Sequence, residues 1–236
     1  MSRSYRSMII GASMVGALFA STPVLAQQKL VVSAPDAAAA RPISVINRSG
    51  SYVLSRNIVN NSKTGADSVA INSDNVVLDL NGFSIIGNAA SGAGVNAAGH
   101  TNIVVRDGVI SGMGGPAIVT GANSSISGIT ATGNCTAASA GPAIQAGAGS
   151  QISSNTVNGS LTGGGISCGT GAGCLVRDNV IQGNAGVGIT LSDSTGGYRG
   201  NVLQGNSGIT TPGSSGQVLN GTSLGGNANV CNGVPC

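Results

Sequence analysis

The chain has 236 residues, enough for one sizeable domain, yet its composition is unlike that of an ordinary globular core: 40 Gly, no Trp, 2 Phe, 3 Tyr and only 7% charged residues. Two of the ten basic residues, Arg3 and Arg6, stand at the very start; without them eight basic side chains face seven acidic ones, all aspartate, so no basic patch recommends nucleic acid as a partner. Disorder is excluded as well, because disordered segments are poor in Val and Ile and rich in charge, and here the reverse holds.

In chain order, Arg3 and Arg6 precede the apolar run from Met8 to Ala20, and Pro23-Val24-Leu25-Ala26 follows with small residues where a signal peptidase cuts. Residues 1–26 are therefore expected to be a signal peptide cleaved after Ala26, delivering the protein to the periplasm or outside the cell. The run is too short for a comfortable membrane span, and no later segment is long and apolar enough, so no membrane span is expected. Residues 27–41, rich in Ala and Pro, read as a flexible lead-in. Pro42 to Ile46 and Ser51 to Leu54 alternate at period two around Asn47-Arg48-Ser49-Gly50 and read as an opening cap pair of strands.

From there the chain repeats. The stretch Asp74 to Gly87 is the template: apolar Val76, Leu78 and Leu80 on one strand, a corner at Asn81-Gly82, a short second strand, and a corner at Gly87. Coils begin at Ile71, Val95, Ile118, Ile144, Ile166 and Ile189, and corner glycines stand at Gly87, Gly112, Gly133, Gly159, Gly183 and Gly205. Both markers recur every 21 to 26 residues down to about residue 206. Nothing keeps a 3.6-residue period and Gly recurs too often for helical repeats. Short strands bounded by Gly and Asn predict an all-β, single-domain parallel β-helix (a solenoid) over residues 42–225, with about six regular coils and a length of roughly 30 Å at the inter-strand spacing.

Asn155, Asn179 and Asn201 align at one corner, and Asn134, Asn184 and Asn206 at another, where stacked amides can hydrogen-bond as ladders. Residues 226–236 form a closing tail. All five cysteines follow the leader. Cys168 and Cys174 flank a Gly-rich corner that can bring them within bridging range, Cys231 and Cys236 close a second short loop, and Cys135 is left over. With neither a CxxC pair nor a partnering His, zinc is not expected.

Ile43 to Ile46, Gly50 to Leu54 and the segment Asp74 to Phe83, with its Leu78-Asp79-Leu80-Asn81-Gly82-Phe83 core, resemble bacterial exported right-handed parallel β-helix repeat proteins. The resemblance implies the right-handed fold of the pectate lyase superfamily, whose members include polysaccharide lyases, glycoside hydrolases, epimerases, adhesins and virulence factors. It suggests sugar polymers only by analogy of fold. The pectate lyase pattern implies clustered aspartates holding calcium, with Arg or Lys as base. The polygalacturonase pattern implies Asn-Thr-Asp, Asp-Asp and Gly-His-Gly. None of these three motifs is complete here; Gly99-His100-Thr101 is the nearest match.

One charged cluster remains. Counting seven residues back from the corner glycines aligns Val105, Ile126, Ile152, Val176 and Tyr198, which face the core. The next position holds Arg106, Ser127, Ser153, Arg177 and Arg199. Arg177 and Arg199 then stack on adjacent coils, with Asp178 beside the first and Asp193 on the approach to the second. These four residues are either a solvated ion-paired face or a shallow groove for an anionic polysaccharide, where guanidinium groups hold uronate carboxylates. Arg177, Arg199 and Asp178 are also the candidates for catalysis if the protein is a lyase. Asp79, Asp107 and Asp178 are alternative calcium ligands, although they are spread over distant coils. His100 reads as a surface residue and Tyr198 as either a core cap or a sugar platform. The expected function is a non-catalytic structural or polysaccharide-binding scaffold, with a lyase acting on uronic-acid polymer as the alternative enzyme and an adhesin or surface-assembly subunit as a third class. No cofactor is expected, with calcium as the one alternative.

Overall fold

The computed structural model describes residues 28–29, 42–138, 141–169, 171, 173–207, 217–224 and 229–235. The signal peptide expected over 1–26 and most of the lead-in lie outside them. Among the described residues there is no helix, and the strands form a parallel β-helix of about seven turns. One sheet stacks eight strands: Ser44–Ile46, Val69–Ile71, Val95–Ala97, Ile118–Thr120, Ile144–Ala146, Ile166–Cys168, Ile189–Leu191 and Val218–Leu219. The other, of 16 strands, wraps the remaining sides and bends at a sharp corner in each turn.

The register explains why β-branched residues dominate. Val95, Ile118, Ile144, Ile166 and Ile189 lie directly above one another in parallel pairs, and all are fully buried. Leu78, Val105, Ile126, Ile152 and Val176 form a second inward column, ending on the partly buried Tyr198. Ile85, Ile110, Ala131, Val157, Ile181 and Leu203 form a third. Each side chain packs on like neighbours one strand spacing away, so the core is a narrow prism of stacked aliphatics without need of large aromatics.

The corners are held by backbone conformation. Asp107, Gly128, Ser154, Asp178 and Gly200 all have φ between 57° and 64°, and one such left-handed residue per turn swings the chain into the next strand. Asn155, Asn179 and Asn201 follow directly in their turns and stack as expected. The Asn179 amide donates to Asn201 Oδ1 at 3.0 Å, its backbone N–H donates to the same oxygen at 3.0 Å, and Asn201 repeats the pattern onto Asn229. The second ladder runs Asn184 to Asn206 to Gln217, with Ser160 between Asn134 and Asn184. These buried amides satisfy corner N–H groups that would otherwise have no partner.

Three expectations are corrected. The strands near residues 44 and 52 do not pair with each other: Ser44–Ile46 pairs in parallel with Val69–Ile71, and Gly50–Val53 with Val76–Asp79, so this segment is a first full turn rather than a cap. The residue in register with Val95 is Val69, not Ile71. The tail also continues the stack, since Val230–Cys231 pairs in parallel with Val202–Leu203 before Val234–Pro235 folds back antiparallel and covers that strand. Of the lead-in, Gln28–Lys29 adds a short strand parallel to Tyr52–Val53.

Cys168 and Cys174 form a disulfide, with Cα atoms 6.4 Å apart. Cys231 is buried and disulfide-bonded, and its expected partner Cys236 lies outside the described residues. Cys135 is a free thiol with no exposed surface, and burial pushes its pKa up. A thiol so enclosed cannot link two chains without opening the core.

Candidate functional site

The outward column beside the Leu78–Tyr198 ladder reads Val53, Asp79, Arg106, Ser127, Ser153, Arg177 and Arg199, in unbroken parallel register. From Asp79 on, each position lies on the outer side of its strand while its predecessor packs inward, and Arg106 and Arg199 are exposed. Arg177 and Arg199 are therefore direct neighbours on adjacent strands, as the corner count requires. Unscreened, two guanidinium groups at that spacing repel.

The corner residues supply the compensation. Asp178, at φ 57°, folds its carboxylate back to accept from Arg177 Nη1 at 2.9 Å. The same carboxylate lies over the next corner, where a Cβ on Gly200 would meet Asp178 Oδ1 and displace it, so glycine there leaves room for the carboxylate to stay on Arg177. The arrangement recurs three turns earlier on Arg106, whose Nε is 3.8 Å from Asp107 and whose Nη2 is 2.9 Å from Asp79. A Cβ on Gly128 would likewise meet Asp107. Asp79 and Asp107 thus serve Arg106, and Asp107 and Asp178 are separated along their column by Gly128 and Ser154. Among the described residues no three His, Cys, Asp or Glu side chains gather where they could hold a metal ion.

Asp193 does not join the cluster. Its carboxylate accepts from the Thr195 hydroxyl and backbone N–H and from the Gly171 N–H, and these bonds hold its pKa below the ordinary range, the Thr195 hydroxyl foremost. Its role is to pin one loop to the disulfide-closed loop of the turn before. Arg199 is exposed and makes no ion pair among the described residues. The cluster the structure assembles is thus Arg177, Asp178 and Arg199: two cations against one anion, open to solvent. Only one of the five N–H donors of Arg177 is engaged by Asp178, so the pair retains a donor-rich surface suited to carboxylate, sulfate or hydroxyl groups.

Tyr198 continues the inward Val176 column and is packed against the core, which makes it a cap rather than an exposed stacking platform. His100 lies in the loop after Val95–Ala97, half exposed, with Nδ1 3.4 Å from Asp74 Oδ1. The Asp79–Arg106 pair was not foreseen as a pair; the signal that finds it is the parallel register of the two strands.

The family model described as a right-handed β-helix region matches residues 43–228, well over half the chain, and the chain belongs to that family. No curated protein and no solved structure matches it.

Proposed function

We propose that the protein is an exported, non-catalytic scaffold that binds acidic polysaccharide along the outer face of its β-helix. The observation that carries this reading is the in-register pair Arg177 and Arg199, compensated by the single carboxylate of Asp178. Guanidinium groups on successive strands of a rigid rod offer repeated, planar, bidentate donors to a polymer whose carboxylates also repeat. Among the described residues the one carboxylate in this cluster, Asp178, is tied to Arg177. The disulfide between Cys168 and Cys174 supports an oxidising location, the periplasm or the exterior.

The test is co-sedimentation or calorimetry of the full chain with pectate and alginate, with neutral dextran as control, while ultraviolet absorbance is followed for unsaturated products. Binding should weaken with added salt and fall about tenfold or more in Arg177→Ala/Arg199→Ala, with flat absorbance throughout. Equal binding by the double variant would remove the site from this role, and rising absorbance would make the protein a lyase.

A further inference from the structure

We propose a second, independent site: a groove over the first three turns of the eight-stranded sheet that takes a ligand carrying a primary ammonium on a hydroxylated ring, the chemistry of an unacetylated amino sugar. The groove encloses about 400 Å³, within the usual range for small-molecule sites. Its floor is one outward column, Val45, Ala70 and Asn96, in parallel register on successive strands. Asp67, Asn72 and His100 stand around it. Among the described residues no Lys or Arg lines it.

What selects the ligand is which hydrogen-bonding groups remain. One donor of each side-chain amide is engaged inside the protein, which leaves one amide hydrogen on each. Asn72 Nδ2 donates to Asn47 Oδ1 at 3.0 Å, Asn96 Nδ2 donates to Asp67 Oδ2 at 2.8 Å, and His100 turns Nδ1 toward Asp74. Asp67 Oδ1 also accepts the Ala93 N–H at 2.7 Å, which fixes the carboxylate in place across two turns. The acceptors are left over: the remaining lone pairs of Asp67, Asn72 Oδ1, and His100 Nε2 when Nδ1 carries the proton. Asp67 has no cationic partner among the described residues. A half-buried carboxylate with no cation beside it among the described residues calls for a cation that donates several hydrogen bonds, which an ammonium does, while ring hydroxyls meet Asn72 and His100 and ring C–H groups cover Val45 and Ala70. The same groups repel a uronate, so this groove and the arginine column favour opposite ligand charges.

The experiment follows the single histidine, His100, by NMR in the full chain while glucosamine, N-acetylglucosamine, glucose and glucuronate are added separately. Glucosamine should shift the His100 ring signals saturably in the millimolar range, and N-acetylglucosamine and glucose should bind about tenfold or more weakly, because the charge is lost. Asp67→Asn should abolish the preference for glucosamine. Ala70→Trp, at an outward strand position that leaves the core unchanged, should block every shift while the thermal midpoint holds. No saturable shift with glucosamine, equal binding of its N-acetyl derivative, or full binding by Ala70→Trp would each overturn the assignment.

Discussion

Asn179→Ala tests whether the buried amide ladder holds the corners or merely decorates them. Asn179 is 1% exposed, and its Oδ1 accepts from both the backbone N–H and the Nδ2 of Asn155, at 2.9 and 3.0 Å. Its own Nδ2 donates to the Ile152 carbonyl at 3.0 Å. Truncation leaves three buried groups without those partners: the Asn155 N–H, one Asn155 amide hydrogen and the Ile152 carbonyl. Each costs about 1–3 kcal/mol when left unmade, so even the low end sums to about 3 kcal/mol, and we expect a loss of about 3–5 kcal/mol. For a domain of this size that is a fall in Tm of about 6 °C or more. Guanidinium unfolding followed by circular dichroism measures it, with Asn47→Ala as control. Asn47 is exposed, accepts one side-chain bond from Asn72, and should cost under about 0.5 kcal/mol. A loss below about 1 kcal/mol for Asn179→Ala would refute the reasoning and leave backbone pairing alone as what holds the turns.

Two further predictions concern the loops. Removing the disulfide with Cys168→Ala/Cys174→Ala frees a closure over a sequence separation of 6, for which the chain-entropy estimate is about 2 kcal/mol; an unchanged unfolding midpoint would show that the stacked turns already fix that loop. The carboxyl of Asp74 sits below its ordinary pKa of 3.8, chiefly because the Thr101 N–H donates to it at 2.8 Å, with His100 adding to the effect. A depressed folded-state pKa contributes stability above the unfolded value and loses it as pH falls through the folded one, so Asp74→Asn should flatten the fall of Tm with acidification below about pH 4. Parallel curves for the two proteins would contradict this.

Much of the fold was legible because each turn repeats two independent marks, an inward aliphatic and a corner glycine. Where reading failed, the reason is local. In Val69-Ala70-Ile71 both outer residues are buried, so period two alone cannot choose between them. The corner after Leu80 contains Asn81-Gly82-Phe83 and is two residues longer than later ones, so counting seven back from Gly87 lands on Leu80 instead of Leu78, the true neighbour of Val105. The count therefore does not carry into the first coil, and the Asp79–Arg106 pair shows only in the register. The partners of Asp193, the Gly171 and Thr195 groups, were not legible, because nearness in sequence to Arg199 says nothing about which loop N–H groups its carboxylate will meet. The groove was beyond reach from sequence, since Asp67 comes from one turn and Asn96 and His100 from the next, and their significance lies in a carboxylate that meets no cation among the described residues.

The two Arg-Asp corners explain where along the rod binding chemistry can reside. Arg106-Asp107 and Arg177-Asp178 have the same local form, an outward arginine followed by a left-handed aspartate lying over a glycine of the next turn. They differ only in the neighbouring strand. Before Arg106 the column places Asp79, which closes the network at 2.9 Å and leaves two carboxylates on one guanidinium. After Arg177 the column places Arg199, which leaves one carboxylate for two guanidinium groups. A corner that is electrostatically closed gains nothing from an external anion and must give up an ion pair to bind one. The open corner relieves repulsion by binding. The same device is therefore structural in the early turns and available to a ligand in the late ones, and the difference arises from one residue per column: Asp79 at one end, Arg199 at the other.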